Sequence, residues 1–492
     1  MRADRRGGGS FSSGAIWSTA TFVGSRALSF LSVLVLARLL TPSEFGAVAA
    51  IVVFLALIEL GSDLGLKATV IYEQETGVSE RVQTAFTANL LLAVVLTGMG
   101  ILLAPLVASF FHLEEQTNLF RLGALNLLFT GLGNIQDSLL LRELEFRRRI
   151  FPELVRALVR AAVGISLALA GFGASALVLG FLAGTAAWAV VQSVITRFRP
   201  RFTLDRSILR SMAAYGGGAA MLEVVSVVAV RVDVAVIGRL LGERALGLYT
   251  IALRVPELLI ESVAWNLSLV AFPAFARQRA RDEEGLAPVT VKVFTYQALY
   301  AIPISVGLAI LGPPLIVVLF SSAWTEAGGV ASAIAVMAGF SAVAFPMGDV
   351  FKALGRQRTL VLFNVVQIPV FTVAIVAVSS GGIVPVAWAR AAFAGLWALL
   401  ICGTVFRLLS VRPSVVARAL APAVAAGAGV AMGAGAVRVA WPGLAVAQLL
   451  AGAAAGALGA LIFLRLLAPA MFFELRGLAG RLTGSKGAKE LV

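Results

Sequence analysis

The stretch "ARLLTPSEFG" at residues 37–46 lies between two long apolar runs, and "GRLLGERALG" at 238–247 repeats its frame. Arg38, Leu39, Leu40 and Gly46 recur as Arg239, Leu240, Leu241 and Gly247, at an offset of 201 residues. In a chain rich in Leu, Arg and Gly, four identities in ten positions are weak alone. Their weight depends on whether both copies occupy the same place in the topology.

The 492 residues are 59% hydrophobic and 13% charged, with a mean hydropathy of +0.94. Soluble globular proteins carry roughly a quarter charged residues, so most of this chain is suited to lipid. Runs such as 85–110 exceed the ~20 apolar residues a span requires. Every backbone group inside the hydrocarbon must be paired, so the runs are expected to be helices. A β-barrel would show short alternating segments instead. The net charge of +14 comes from 35 arginines and 5 lysines. In a soluble protein that balance would suggest nucleic acid; here it marks basic loops that orient a membrane protein, and no nucleic-acid partner is expected. Cys402 stands alone, which leaves no disulfide framework, and the single His112 gives no cluster of soft metal ligands. No metal or cofactor is expected. The start, "MRADRRGGGSFSSG", resembles a signal anchor more than a cleaved leader.

The apolar periodicity predicts fourteen helices, at 14–40, 44–66, 83–110, 117–141, 151–171, 174–196, 212–240, 245–271, 288–311, 327–351, 359–379, 384–406, 415–437 and 444–468. The ninth is expected to continue beyond a proline kink through "GPPLIVVLFSSAW". With the N-terminus inside, 27 basic residues fall in inner segments and five, Arg38, Arg121, Arg239, Arg244 and Arg438, in outer loops. A miscounted span would invert every later loop, so the positive-inside rule supports fourteen spans with both termini cytoplasmic. The echo places the seventh helix on the first and the eighth on the second. An even number of helices separates the copies, which makes a parallel repeat with its axis along the membrane normal. The predicted organisation is a basic tail (1–13), an N-lobe of six helices (14–196), a basic linker (197–211), a C-lobe of six (212–406), two extra helices (407–468) and a cytoplasmic tail (469–492). The extra helices are Ala/Gly-rich, with "GAAAG" at 452–456, which suits close packing.

No G-x-x-x-x-G-K-[ST] phosphate loop occurs. No D-x-D pair is present to hold a metal–sugar-nucleotide complex, and no loop is long enough to house a catalytic domain. The expected function is therefore movement of a substrate rather than catalysis, coupled to an ion gradient or the membrane potential.

A charge at mid-bilayer costs at least about 2.5–3.5 kcal/mol and usually faces a cavity or a partner. Arg26 lies near the centre of the first helix; it either pairs with a carboxylate or binds an anion. In the seventh helix Arg231 and Asp233 are two apart and point to different sides, while Glu223 shares roughly the Arg231 face. In the eighth helix Arg254, Glu257 and Glu261 form one stripe, beside Pro256, which removes a donor and kinks a helix. Arg254 and Glu257 either neutralise each other or belong to a working stripe. Glu59 and Asp63 lie at i,i+4 in the second helix, Asp63 at the interface. Arg390, in the outer third of the twelfth helix, either snorkels outward or lines a path. The candidate anion-binding residues are thus Arg26, Arg231, Arg254 and Arg390, and the candidate ion-coupling carboxylates Glu59, Glu223, Glu257 and Glu261.

The stretches "ARLLTPSEFG", "RVDVAVIGRLLGERALGLYTIALRVPEL", "AFPAFAR", Trp324 before an apolar helix, and "ALGRQR" resemble the polysaccharide flippases, in particular the Wzx-type O-antigen and exopolysaccharide exporters of the multidrug/oligosaccharidyl-lipid/polysaccharide (MOP) superfamily. The resemblance runs over nearly the whole chain. It implies a V-shaped all-α transporter of two six-helix lobes with two C-terminal helices, working by alternating access in a bacterial cytoplasmic membrane. It implies lipid-linked oligosaccharide as substrate, H+ or Na+ as a coupling ion, and polymerase and glycosyltransferase machinery as partners. By position Arg26 resembles a cavity arginine of the lipid II flippases, and Arg254 matches the arginine of a "Y-x-x-A-x-R" stretch that starts at Tyr249. The alternative is a cation-coupled multidrug exporter of the same fold, whose cavity would be dominated by carboxylates.

Overall fold

The computed structural model describes residues 24, 27–59, 78–143, 145–282, 285–441 and 443–483, and among these there is no strand. Helices α1 (Ala27–Leu39) and α2 (Pro42–Glu59) are followed by α3 (Val78–Phe110), α4 (Thr117–Arg142), α5 (Phe146–Leu169) and α6 (Ala174–Ile195). A long helical rod, Arg206–Pro256, is broken only at Gly242, which adopts φ 78°. The break separates α7 (206–241) from α8 (243–281), and α8 contains a wide π turn at Glu257–Glu261. Then come α9 (Leu286–Phe320), α10 (Ala327–Ala353), α11 (Gln357–Val378), α12 (Ile383–Leu408), α13 (Pro413–Ala440) and α14 (Ala445–Leu467). These fourteen match the predicted spans in number and order. The ninth runs through Pro303, Pro313 and Pro314 to Phe320, as the sequence suggests. A fifteenth helix, α15 (Pro469–Thr483), occupies part of the stretch read as a tail. The protein is a multi-pass, all-helical membrane protein.

The chain forms two compact units, residues 1–247 and 248–492. In the first, α2 starts with a complete capping box. The Thr41 backbone N–H donates to Glu44 Oε2 at 2.7 Å, and the Glu44 N–H donates back to Thr41 Oγ1 at 3.4 Å. In the second copy of the repeat Gly242 stands where the first has Thr41, so the cap is replaced by a residue that tolerates a positive φ.

The two copies also touch. A Cβ placed on Gly46 would overlap the carbonyl oxygen of Glu243, and one placed on Gly247 would overlap that of Pro42. At the offset of 201, Pro42 corresponds to Glu243 and Gly46 to Gly247, so the two contacts exchange under the repeat. This is a local two-fold arrangement of the α2 and α8 N-termini, with each carbonyl laid on a glycine Cα, the approach of a Cα–H···O=C contact. The repeated Arg239 holds the neighbouring end of α3: its Nη1 donates to the Phe110 carbonyl at 3.1 Å, its guanidinium lies 5.5 Å from the Phe110 ring centroid, and it contacts His112.

In the second unit Phe275, Phe294, Met347, Phe351 and Phe406 form a core among α8, α9, α10 and α12, with Phe294 edge-on to Phe406 at 5.0 Å. The Ala/Gly-rich pair packs closely. Gly429 of α13 abuts the backbone of Gly459 in α14, Gly433 abuts Ala455, and Gly452 of α14 sits against Leu311 of α9. In lipid, where no hydrophobic drive separates helix from solvent, such small-residue contacts supply the association.

Gly46→Ala and Gly247→Ala should each lower the melting temperature of the detergent-solubilised protein, because overpacking costs about 1–3 kcal/mol. Gly435→Ala, where a Cβ meets nothing within 4 Å, should leave it unchanged. Equal melting of all three variants would contradict the reciprocal contact.

Candidate functional site

Arg231 lies about 16 Å along α7 from the Gly242 break at 1.5 Å per residue, near the middle of a hydrocarbon layer roughly 30 Å thick. Its side chain is exposed and has no hydrogen bond or ion pair among the described residues. Asp233, two residues on, is 2% exposed. The two side chains therefore face different surroundings, as their spacing requires.

Arg254 lies about 18 Å from Gly242 along α8. Its Nη1 is 3.6 Å from Glu257 Oε2, and both side chains are about two-fifths exposed (42% and 43%). The pair exists, but a solvated ion pair at this length contributes at most about 1 kcal/mol, so Arg254 can be drawn to a stronger anion. Immediately after Pro256 the helix widens into the π turn Glu257–Glu261. The turn disrupts the carbonyl ladder, and side chains repair it. Ser262 Oγ donates to the Glu257 carbonyl at 2.9 Å, and the Tyr300 hydroxyl of α9 donates to the Leu259 carbonyl. Glu261 closes the turn, half-buried. The predicted kink is thus a π bulge with a charged stripe across it, a feature that recurs at functional positions.

Arg390 does not snorkel. It is half-buried in α12, its Nε donates to Met337 Sδ at 2.8 Å, and its guanidinium lies 4.9 Å from the Phe371 ring centroid. It lines a cavity of about 330 Å³ formed by α10, α11 and α12, together with Asp349, Lys352, Asn364, Gln367, Phe393 and Trp397. Asp349 is 4% exposed, accepts a hydrogen bond from Ser268 of α8, and takes Lys352 Nζ at 3.1 Å. The sequence reading passed over Asp349, Asn364 and Gln367. Their only signals were an i,i+3 Asp–Lys pair near a helix end and an i,i+3 pair of amides inside an apolar run.

Glu59 is the last residue of α2 and is half-buried. Arg26 and Asp63 lie outside the described residues, as does the side chain of Glu223, whose backbone is helical within α7. The first unit holds one polar network the sequence reading did not single out. Arg149 of α5 forks onto Asp137 of α4, Nε to Oδ1 at 2.7 Å and Nη2 to Oδ2 at 2.9 Å, and Gln192 of α6 donates to the same carboxylate at 3.0 Å. A bidentate pair with a third partner is saturated, so this network ties helices together rather than awaiting a ligand. Among the described residues no three His, Cys, Asp or Glu side chains cluster as metal ligands.

Fourteen consecutive long helices in this order define the class: this is the fold of the MOP-superfamily transporters. Over 93% of this chain and 99% of the other, it resembles a solved lipid II flippase, MurJ in an inward closed conformation, with a TM-score of 0.74 at 16% identity. It also resembles an inward-facing multidrug resistance MATE transporter of the MOP superfamily, with a TM-score of 0.64 at 15% identity over 78% of this chain and 94% of that one. The family profile of the polysaccharide biosynthesis proteins matches residues 35–329, and the chain belongs to that family. The succinoglycan biosynthesis transport protein ExoT of Rhizobium meliloti is 26% identical over 345 residues, 70% of this chain and 69% of that protein.

Removing the Tyr300 hydroxyl (Tyr300→Phe) should take away the side-chain partner of the Leu259 carbonyl, a change worth about 1–3 kcal/mol in a dry setting. A lower melting temperature and faster amide exchange in α8 are expected. Unchanged values for both would show that the bulge does not use this bond.

Proposed function

We propose that the protein is a flippase that exports polyprenyl-diphosphate-linked oligosaccharide repeat units across the bacterial cytoplasmic membrane by alternating access. The observation that carries this reading is Arg231: an exposed guanidinium at mid-span, without an ion-pair partner among the described residues, in a chain of the polysaccharide biosynthesis family. A cation kept at that depth needs an anion, and the diphosphate of a polyprenyl-diphosphate-linked glycan would supply one. Arginine forks match phosphate bidentately and stay charged. Arg254, weakly held by Glu257, is a second candidate for such a phosphate contact, and Arg26 and Arg390 are the others the sequence offers.

The export direction agrees with the physics of a cell that is negative inside. An outward-moving anion gains about 2.3 kcal/mol per charge per 100 mV. Proton or sodium coupling would fall to Glu59, Glu223, Glu257 or Glu261. The basic bias of the loops supports an orientation with both termini in the cytoplasm, where the glycosyltransferases that build the repeat unit and the machinery that hands it on meet the transporter.

In a strain lacking the wild-type gene, Arg231→Ala, Arg254→Ala and Arg26→Ala should each cut surface polysaccharide by about tenfold or more, the worth of one charge-assisted phosphate contact, at equal amounts of membrane protein. Arg254→Lys should retain part of the activity. Normal export by all three alanine variants would sink the anion-handling role, and a change in drug susceptibility without a change in polysaccharide would point to the multidrug alternative. Uptake into vesicles with imposed proton or sodium gradients identifies the coupling ion.

A further inference from the structure

The cavity inside the second unit has a composition that a diphosphate does not require. We propose that it is a saccharide-binding pocket, which takes a sugar unit of the carried glycan; the identity of that glycan as a lipid-linked oligosaccharide rests on the export reading above. At about 330 Å³ it falls at the small end of ligand sites, roughly 300–1,000 Å³, a size suited to a disaccharide.

One wall is a platform of rings. Phe393 and Trp397, one turn apart on α12, lie stacked with centroids 5.3 Å apart and planes at 17°. Phe371 extends the platform at 5.2 Å from Phe393, and Phe363, from the core behind, backs Trp397 edge-on at 5.7 Å. The negative face of an aromatic ring attracts polarised C–H groups, and the axial face of a pyranose presents such groups.

Between the rings the lining carries polar groups that have no protein partners among the described residues. Asn364 and Gln367, at i,i+3 on α11, are half-buried and line the cavity, and neither amide makes a hydrogen bond to any described residue. Ser341 of α10 is likewise without a side-chain bond among the described residues. Their polar atoms are open to the cavity rather than sealed in the packing, so they are available to a ligand. Each amide offers donors and an acceptor together, and each sugar hydroxyl asks for both.

The ends of the cavity carry charge. Arg390 sits over Phe371 at one end, and the Asp349–Lys352 pair lies at the other. From Met337 to Lys352 the α10 wall runs about 22 Å at the helical rise, so the pocket is elongated along the helix. Asp349 is already engaged by Lys352 and Ser268. The guanidinium end therefore disfavours organic cations and favours a sugar that bears a carboxylate. A fatty acyl chain would fill the volume but leave both amides unsatisfied.

The test is titration of the purified full-length protein in detergent with cellobiose, with its carboxylated counterpart cellobiouronic acid, and with tetraphenylphosphonium, read by calorimetry and tryptophan emission. Saturable binding of both sugars is expected, tighter for the acid, with a change in emission that Trp397→Phe abolishes. The double variant Asn364→Ala/Gln367→Ala should weaken sugar binding by about tenfold, the worth of one or two hydrogen bonds, at an unchanged melting temperature. Should Trp397→Phe fail to fold, calorimetry on the amide variant decides. Absence of sugar binding by the wild type, sugar binding untouched in the amide variant, or displacement of sugar by the organic cation would each overturn the proposal. Because these measurements involve neither lipid nor transport, they are independent of the export reading. If deletion of the gene leaves surface polysaccharide intact while the pocket still binds sugar, it is export that fails and not the pocket.

Discussion

Hydrocarbon offers no water to a broken helix, so each interruption of the backbone ladder inside the membrane has to be closed by a group the chain itself supplies. The wide turn in α8 meets that requirement within a span, and helix ends at the outer turns are closed in the same manner. The start of α2 is closed by Thr41 and Glu44, and the end of α3 by the guanidinium of Arg239. The wide turn in α8 is closed by Ser262 and Tyr300. The break at Gly242 is reduced to a single residue, so that α8 restarts at once and lays its first carbonyl on Gly46.

The arginines divide along the same line. Arg149 is saturated by a carboxylate and Arg239 by a carbonyl and a ring. Arg156 and Arg160 lie over the rings of Trp188 and Phe181, at 5.6 and 5.0 Å. These side chains hold helices together or shelter their charge against aromatic faces. Arg254 has a partner that screens it only weakly, and Arg231 has none among the described residues. In a protein with so few charges in its spans, the less a cation is compensated by its own fold, the more of its field is left for something that passes by.

The sequence was most readable where one short-range rule governed the outcome. Span number and order came from runs of about twenty apolar residues and from the sign of the loops between them. The bend in α8 came from Pro256. What was hidden depended on neighbours distant in the chain. That the bend would be a π turn could not be read from "LRVPELLIES", because one of the groups that repairs it, Tyr300, is 41 residues away from Leu259. Arg390 was ambiguous because helix phase says nothing of which helices surround it. Asn364 and Gln367 escaped notice because uncharged amides barely alter the hydropathy of an apolar run. Helix α15 was read as a tail because it is too short to span and begins at a proline, although proline suits the first turn of a helix.

The Gly46–Gly247 contact bears on how such a chain could have come about. In it, position 42 of one copy meets position 46 of the other and the reverse holds too, so a single copy of the sequence already contains both halves of the interface. A surface of that kind is isologous: it is complementary to itself across a two-fold axis. A shorter chain carrying only one copy would have presented the same carbonyl and the same glycine to a second identical molecule. The present protein keeps that symmetric handshake within one polypeptide, while the Thr-Pro cap of one copy and the Gly242 break of the other show where the halves were free to diverge once joined.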